Sequence, residues 1–183
     1  SVRQGGLSKS LFRFTDSTYS GTTFLTIERR GSDNLQYLFL KSVGSPRQIE
    51  GSDREKSFVD TDLSHEDLGG SQVDDYNYNR LANVKADGRD CYVIERMPKR
   101  RNSNYSKHIV VIDAQTMLPV SMKSYGRSGR LEKTMRSSDL RQIGQNLFVP
   151  MRMEVTDMVN RHQTVFQVSH AQEKSINQGY FNR

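Results

Sequence analysis

Four histidines, one cysteine, a cluster of carboxylates and two glycine pairs are the residues whose types and spacing could serve covalent, metal or phosphate chemistry. A hydrolase needs a nucleophile beside a base. His65, His108, His162 and His170 occur in no His-Glu-x-x-His arrangement and in no nucleophile-elbow context. Their plainer reading is as exposed or locally bonded polar residues. Cys91, a single thiol in a strand-like stretch, rules out an internal disulfide and any multi-cysteine metal site. Gly5-Gly6 and Gly69-Gly70 stand in no strand-to-helix phosphate loop, which argues against a nucleotide enzyme. Asp60, Asp62, Glu66 and Asp67 lack the glycine and the closing glutamate of a calcium loop. The residues therefore lead us to expect no catalytic group, no metal and no cofactor.

Charge offers a different kind of chemistry. The chain of 183 residues has a formal net charge of +6, distributed unevenly. Residues 1–95 hold 12 basic and 15 acidic side chains, a net of −3, while residues 96–183 hold 15 and 6, a net of +9. Such asymmetry steers an anionic partner without choosing among nucleic acid, lipid surface and acidic protein. The densest basic stretch contains Arg96, Lys99, Arg100 and Arg101, with Lys107 beyond it, and is a candidate anionic contact surface. Aromatic platforms at defined strand positions are missing from it, so nucleic acid is not the expected partner. A transient contact with an anionic membrane surface would use the same charges, and a solvated loop is the plainer account.

The apolar residues form the third set. Phe12, Phe14, Phe24, Met122, Met151, Met153 and Phe166 all fall in strand-like segments, and we take them as candidate lining of a ligand cavity. A curved sheet can present more apolar surface on its concave face than a short helix covers, and flexible methionines tolerate variable ligand shape. An ordinary filled core would use the same residues. Met151 and Met153 are two apart, so in a strand they share a face opposite Arg152 and Glu154.

The elements that must position these residues are short, alternating and separated by turn residues. Strands are predicted around 11–14, 22–28, 36–40, 47–49, 76–84, 91–95, 108–113 and 118–123, then around 148–155 and 163–168, with weak patterning over 131–140. Asp87-Gly88 is a strong hairpin signal. Asp62 or Ser64 can cap a brief helix over 65–68, stopped by Gly69-Gly70. No segment shows sustained helical spacing, and no run approaches a membrane-spanning helix. Eight to ten antiparallel strands with one short helix must curl or be covered, because a flat open sheet exposes both its edges and an apolar face.

Several segments, in this order, resemble the outer-membrane lipoprotein-sorting protein family, which is LolA-like: 21–28 (GTTFLTIE), 57–68 (SFVDTDLSHEDL), 88–95 (GRDCYVIE), 105–107 (YSK) and 150–154 (PMRME). The resemblance extends from about Leu11 to Phe181. It departs from the family at Leu40, Gln48, Asp60 and His65. It implies a mainly β fold with short helices, in which a strongly curved antiparallel sheet forms a half-open barrel. It also implies a single domain over residues 1–183, lacking the family's N-terminal helix and first strands.

The function implied is that of a non-enzymatic carrier or exporter-accessory protein of the Gram-negative periplasm, its signal peptide removed or omitted. Its cargo would be a lipid or an acylated lipoprotein held by the acyl chains, and an inner-membrane exporter is a candidate partner. The alternative is an interaction module that docks an acidic protein through the basic C-terminal half.

Overall fold

The computed structural model describes residues 2–4, 6–15, 19–173 and 179, so Phe181, where the resemblance ends, lies outside the described residues. The chain divides into two compact units, one within residues 1–71 and one within residues 72–174.

The smaller unit is an antiparallel meander of β1 (Val2–Gln4), β2 (Leu7–Arg13), β3 (Thr23–Ile27), β4 (Leu35–Phe39) and β5 (Pro46–Gln48), adjacent in chain order. Alternation gives its central strands two apolar faces. Leu11 stands opposite Leu25 and Leu25 opposite Tyr37, and this row packs with Ile27 and Leu35. The other face buries Phe24 against Ile49 and Phe58, with Phe14, Leu38, Val59 and Leu68 around them.

That second face is closed by the segment after β5, which contains the helix α1 (His65–Leu68). Four residues cannot sustain a helix by propensity alone. A capping box starts it: the Asp67 amide donates to Ser64 Oγ at 3.2 Å and the Ser64 amide donates to Asp67 Oδ2 at 2.8 Å. The sheet then anchors both ends. Gln36, fully buried, donates from Nε2 to the His65 carbonyl at 2.5 Å, and Asn34 donates from Nδ2 to the Gly69 carbonyl at 2.9 Å. A Cβ at position 69 would lie 2.8 Å from Gln36 Nε2, so a larger residue there would displace the amide that anchors the helix.

His65 is therefore a core residue of this unit, its ring 5.5 Å from Phe24 and edge-on to Phe58 at 5.7 Å. Burial pushes its pKa below the ordinary histidine value. The unfolded chain takes up a proton near pH 6.5 while the folded chain resists it, so stability falls as pH drops from about 6.5 towards the folded pKa. Urea midpoints measured at about pH 8 and pH 5 should show this loss, and His65→Phe should reduce it. An identical pH dependence in the variant would contradict the argument.

The larger unit is a second antiparallel meander: β6 (Tyr76–Ala86), β7 (Arg89–Pro98), β8 (Tyr105–Asp113), β9 (Pro119–Gly126), β10 (Leu131–Gly144), β11 (Leu147–Asp157) and β12 (His162–Gln167). The β6–β7 hairpin turns on Asp87 and Gly88 with φ of +50° and +78°, the left-handed pair that a two-residue hairpin needs. Neither sheet closes on itself: its end strands are β1 and β5 in one, β6 and β12 in the other.

Twelve strands are present among the described residues where alternation predicts eight to ten. The three residues of β1 are too few to show a pattern. The weakly patterned stretch after residue 130 is the longest strand, 14 residues, held between β9 and β11 by its backbone ladder. The basic loop is also shorter than expected, since Pro98 ends β7 and Tyr105 begins β8.

Candidate ligand-binding face

In antiparallel pairs, residues directly opposite one another share a face, so the register of the larger sheet can be followed strand by strand. One row passes through all seven strands: Arg80, Ile94, Val110, Met122, Met135, Val155 and Thr164. Its five central members are apolar. Two residues along each strand lies a second complete row: Tyr78, Arg96, His108, Ser124, Lys133, Asp157 and His162. Every member of this second row is polar. On the far side of the apolar row, Met153 stands opposite both Ser137 and Phe166, with Met151 on the same face of β11. This face of the sheet is thus an apolar band with a polar border along one side.

The band is closed at depth and open above. Val155 and Met151 are fully buried and Val110 nearly so, while Met122, Met135, Met153 and Phe166 remain half-buried. Methionine side chains there can repack around variable apolar shapes.

In the polar border, His108 Nδ1 lies 2.9 Å from Ser124 Oγ, and the His108 ring meets Tyr105 edge-on at 4.8 Å. Lys133 Nζ lies 5.6 Å from the centre of the Tyr105 ring. Asp157 is engaged by its own hairpin, accepting from the amides of Val159 and Asn160 and from Asn160 Nδ2, each at 2.8 Å. Arg96 lies over the Tyr76 ring at 4.6 Å and donates from Nη2 to Met122 Sδ at 3.4 Å. Its Nε is buried and has no hydrogen-bond partner among the described residues.

Comparison with known proteins places this face in a recognised fold. A family model described as an uncharacterized protein matches residues 6–183. An outer membrane lipoprotein-sorting protein domain from Vibrio parahaemolyticus superposes with a TM-score of 0.91 at 25% identity, covering 96% of this chain and 76% of its own. The chain belongs to the family of that model and has the LolA-like fold of the outer-membrane lipoprotein-sorting domain. A DUF1329 family protein from Desulfovibrio piger agrees at a TM-score of 0.90 and 27% identity, over 97% of this chain and 76% of that one. A LolA superfamily protein from Nitrosomonas europaea, 23% identical, shares the fold at a TM-score of 0.71 over 96% and 76% of the two chains. A search of curated proteins finds no match. The mainly β, LolA-like fold class expected from the sequence is the one observed.

Within this LolA-like chain, the candidate cavity residues separate into two sets. Phe14 and Phe24 belong to the core of the smaller unit beside Phe58, and Phe12 stands opposite Phe24 in register at 46% exposure. Met122, Met151, Met153 and Phe166 share the apolar band of the larger sheet. The basic residues also divide. Arg96 faces the band, whereas Lys107 lies on the opposite face, 2.9 Å from Glu95 Oε1. Lys99 and Arg101 are exposed on the loop and Arg100 is half-buried there.

Sequence reasoning missed Ile94, Val110, Met135 and Val155 as band residues, and it missed the polar border entirely. Alternation within each strand was the available signal. It could not say which residues of different strands stand side by side.

Proposed function

We propose that this LolA-like protein is a non-enzymatic carrier that shields the acyl chains of a lipid or acylated lipoprotein on the methionine-bearing face of its larger sheet. The reading takes residues 1–183 as one LolA-like domain working in the periplasm. An inner-membrane exporter is the proposed partner, and contact with the membrane surface is transient. The observation that carries the reading is the apolar row Ile94, Val110, Met122, Met135 and Val155, bordered on one side by polar residues. The description of the Vibrio parahaemolyticus domain as lipoprotein-sorting supports the same cargo class.

Burying an acyl chain contributes about 0.8 kcal/mol per methylene, so a chain of ordinary length binds usefully without any covalent step. Half-buried methionines suit this task, because a carrier must release what it holds. Native mass spectrometry of protein extracted gently from cells should show added lipid mass. Repeated failure to retain mass from lipid extract and from acylated peptides would sink the reading.

A further inference from the structure

Arg96 is out of place for a residue of an apolar carrier face. Its strand neighbours across the sheet are Tyr78 and His108, and its guanidinium is directed at Met122 and the Tyr76 ring, with no carboxylate bonded to it among the described residues. A thioether is a weak acceptor and a ring face satisfies no hydrogen bond, and the buried Nε has no partner among the described residues. Arg96 is half-buried, and its buried, unpaired Nε carries a desolvation cost that an anion in the right place would offset.

The surroundings exclude the obvious internal anion. The single carboxylate in the polar border, Asp157, is held by Val159 and Asn160 in its own turn. The remaining charge in that row, Lys133, has the same sign as Arg96. One residue pair further along the strands, the apolar band begins at Ile94 and Val110.

Accepting the carrier reading, on which this rests, we propose that the ligand is an acyl amphiphile with an anionic head, a carboxylate or a phosphate, and that Arg96 binds the head while the chain lies along the band. The head would displace Met122 Sδ from Nη2 and accept from Nε as well, giving the two parallel hydrogen bonds that a guanidinium makes with an oxyanion. Tyr76 beneath the guanidinium keeps it flat and aimed. A neutral diglyceride or alcohol would leave Arg96 as it is now and gain only chain burial. The face is therefore selective for charge as well as for hydrophobicity.

The test compares ligands with the same chain and different heads. Fluorescent parinaric acid and its methyl ester are titrated against the wild-type protein at a pH where the acid is ionised, and parinarate is then competed with dodecanoate, dodecyl phosphate and dodecanol. A charge-assisted contact predicts that the acid binds roughly tenfold or more tighter than the ester. Arg96→Gln should bring the acid down to the ester's affinity and leave the ester unchanged, while Arg96→Lys should keep part of the preference. The more effective of dodecanoate and dodecyl phosphate identifies the head. Equal wild-type affinity for acid and ester, or competition by dodecanol as strong as by both anions, overturns the head-group assignment and leaves the carrier reading standing. Failure of the wild type to bind either parinaric probe rejects both. The wild-type ratio decides even if Arg96→Gln does not fold.

Discussion

Replacing Met151 with aspartate unfolds the seven-stranded sheet, whereas the same replacement at Met153 leaves the sheet folded and abolishes uptake of a neutral acyl probe. The two side chains are on the same face of β11, two residues apart, but Met151 is 1% exposed and Met153 is half-buried. Truncating a buried methionine to alanine costs about 2–5 kcal/mol. A carboxylate at position 151 adds a polar group without a partner, and the total is comparable with the roughly 5–15 kcal/mol that holds a domain together. At the half-buried position 153 the carboxylate can reach solvent, and it then places a hydrated charge across the proposed path of an acyl chain. Circular dichroism melts and methyl parinarate fluorescence, measured on each single variant, separate the two effects. A Met151→Asp protein melting with the wild type would refute the packing argument. A Met153→Asp protein that binds the ester normally would remove this part of the face from the ligand path.

The second large effect lies at the β8–β9 turn. Asp113→Ala should cost about 3 kcal/mol, since a buried carboxylate with charged and backbone partners leaves several of them unsatisfied when removed. Asp113, 1% exposed, accepts from the amides of Gln115 at 2.9 Å and Thr116 at 2.8 Å, and its second oxygen lies 3.2 Å from Arg89 Nη1. The Thr116 amide, then the Gln115 amide and the Arg89 charge, hold its pKa below the usual carboxylate value. The folded pKa being depressed, its contribution is complete above about pH 4 and disappears as pH falls through the folded value. Urea midpoints should therefore differ widely between wild type and variant at neutral pH and converge in acid. Asp113→Asn keeps an acceptor for the turn amides and should lose about half as much. Equal midpoints for wild type and Asp113→Ala at neutral pH would show that the turn does not depend on this carboxylate.

Much of the local structure is legible in the sequence because it rests on neighbouring residues. The hairpin at Asp87-Gly88 and the capped helix from Ser64 to Gly69 are both present as the residues dictate, with Ser64 and not Asp62 as the cap. The shared face of Met151 and Met153 follows from alternation alone. What could not be read is everything decided between strands. Phe24 and Met122 are equivalent in the sequence, each an apolar residue in a short strand, yet one packs under α1 and the other sits in the middle of the large sheet. Arg96 looks like the start of the Lys99–Arg101 basic run, but a strand turns alternate side chains to opposite faces. Arg96 faces the apolar band from within β7, and only the later cations reach the loop. A run of like charges in sequence is a patch only where the backbone does not alternate it.

The strand β6 carries a consequence for how copies of the protein meet. It is an edge of the large sheet, eleven residues long and exposed over most of its length, with Leu81 and Val84 both open to solvent. An edge of that length and character is a template on which a second chain can hydrogen-bond. The register of β6 against β7 breaks between Leu81 and Val84, dividing the free edge into two shorter stretches that do not run on in phase. Arg80 and Lys85 flank the break, so an incoming strand would bury a cation on either side of an irregularity. The defect in the ladder thus costs the sheet a few hydrogen bonds and makes the edge a poor template for a second copy of the chain.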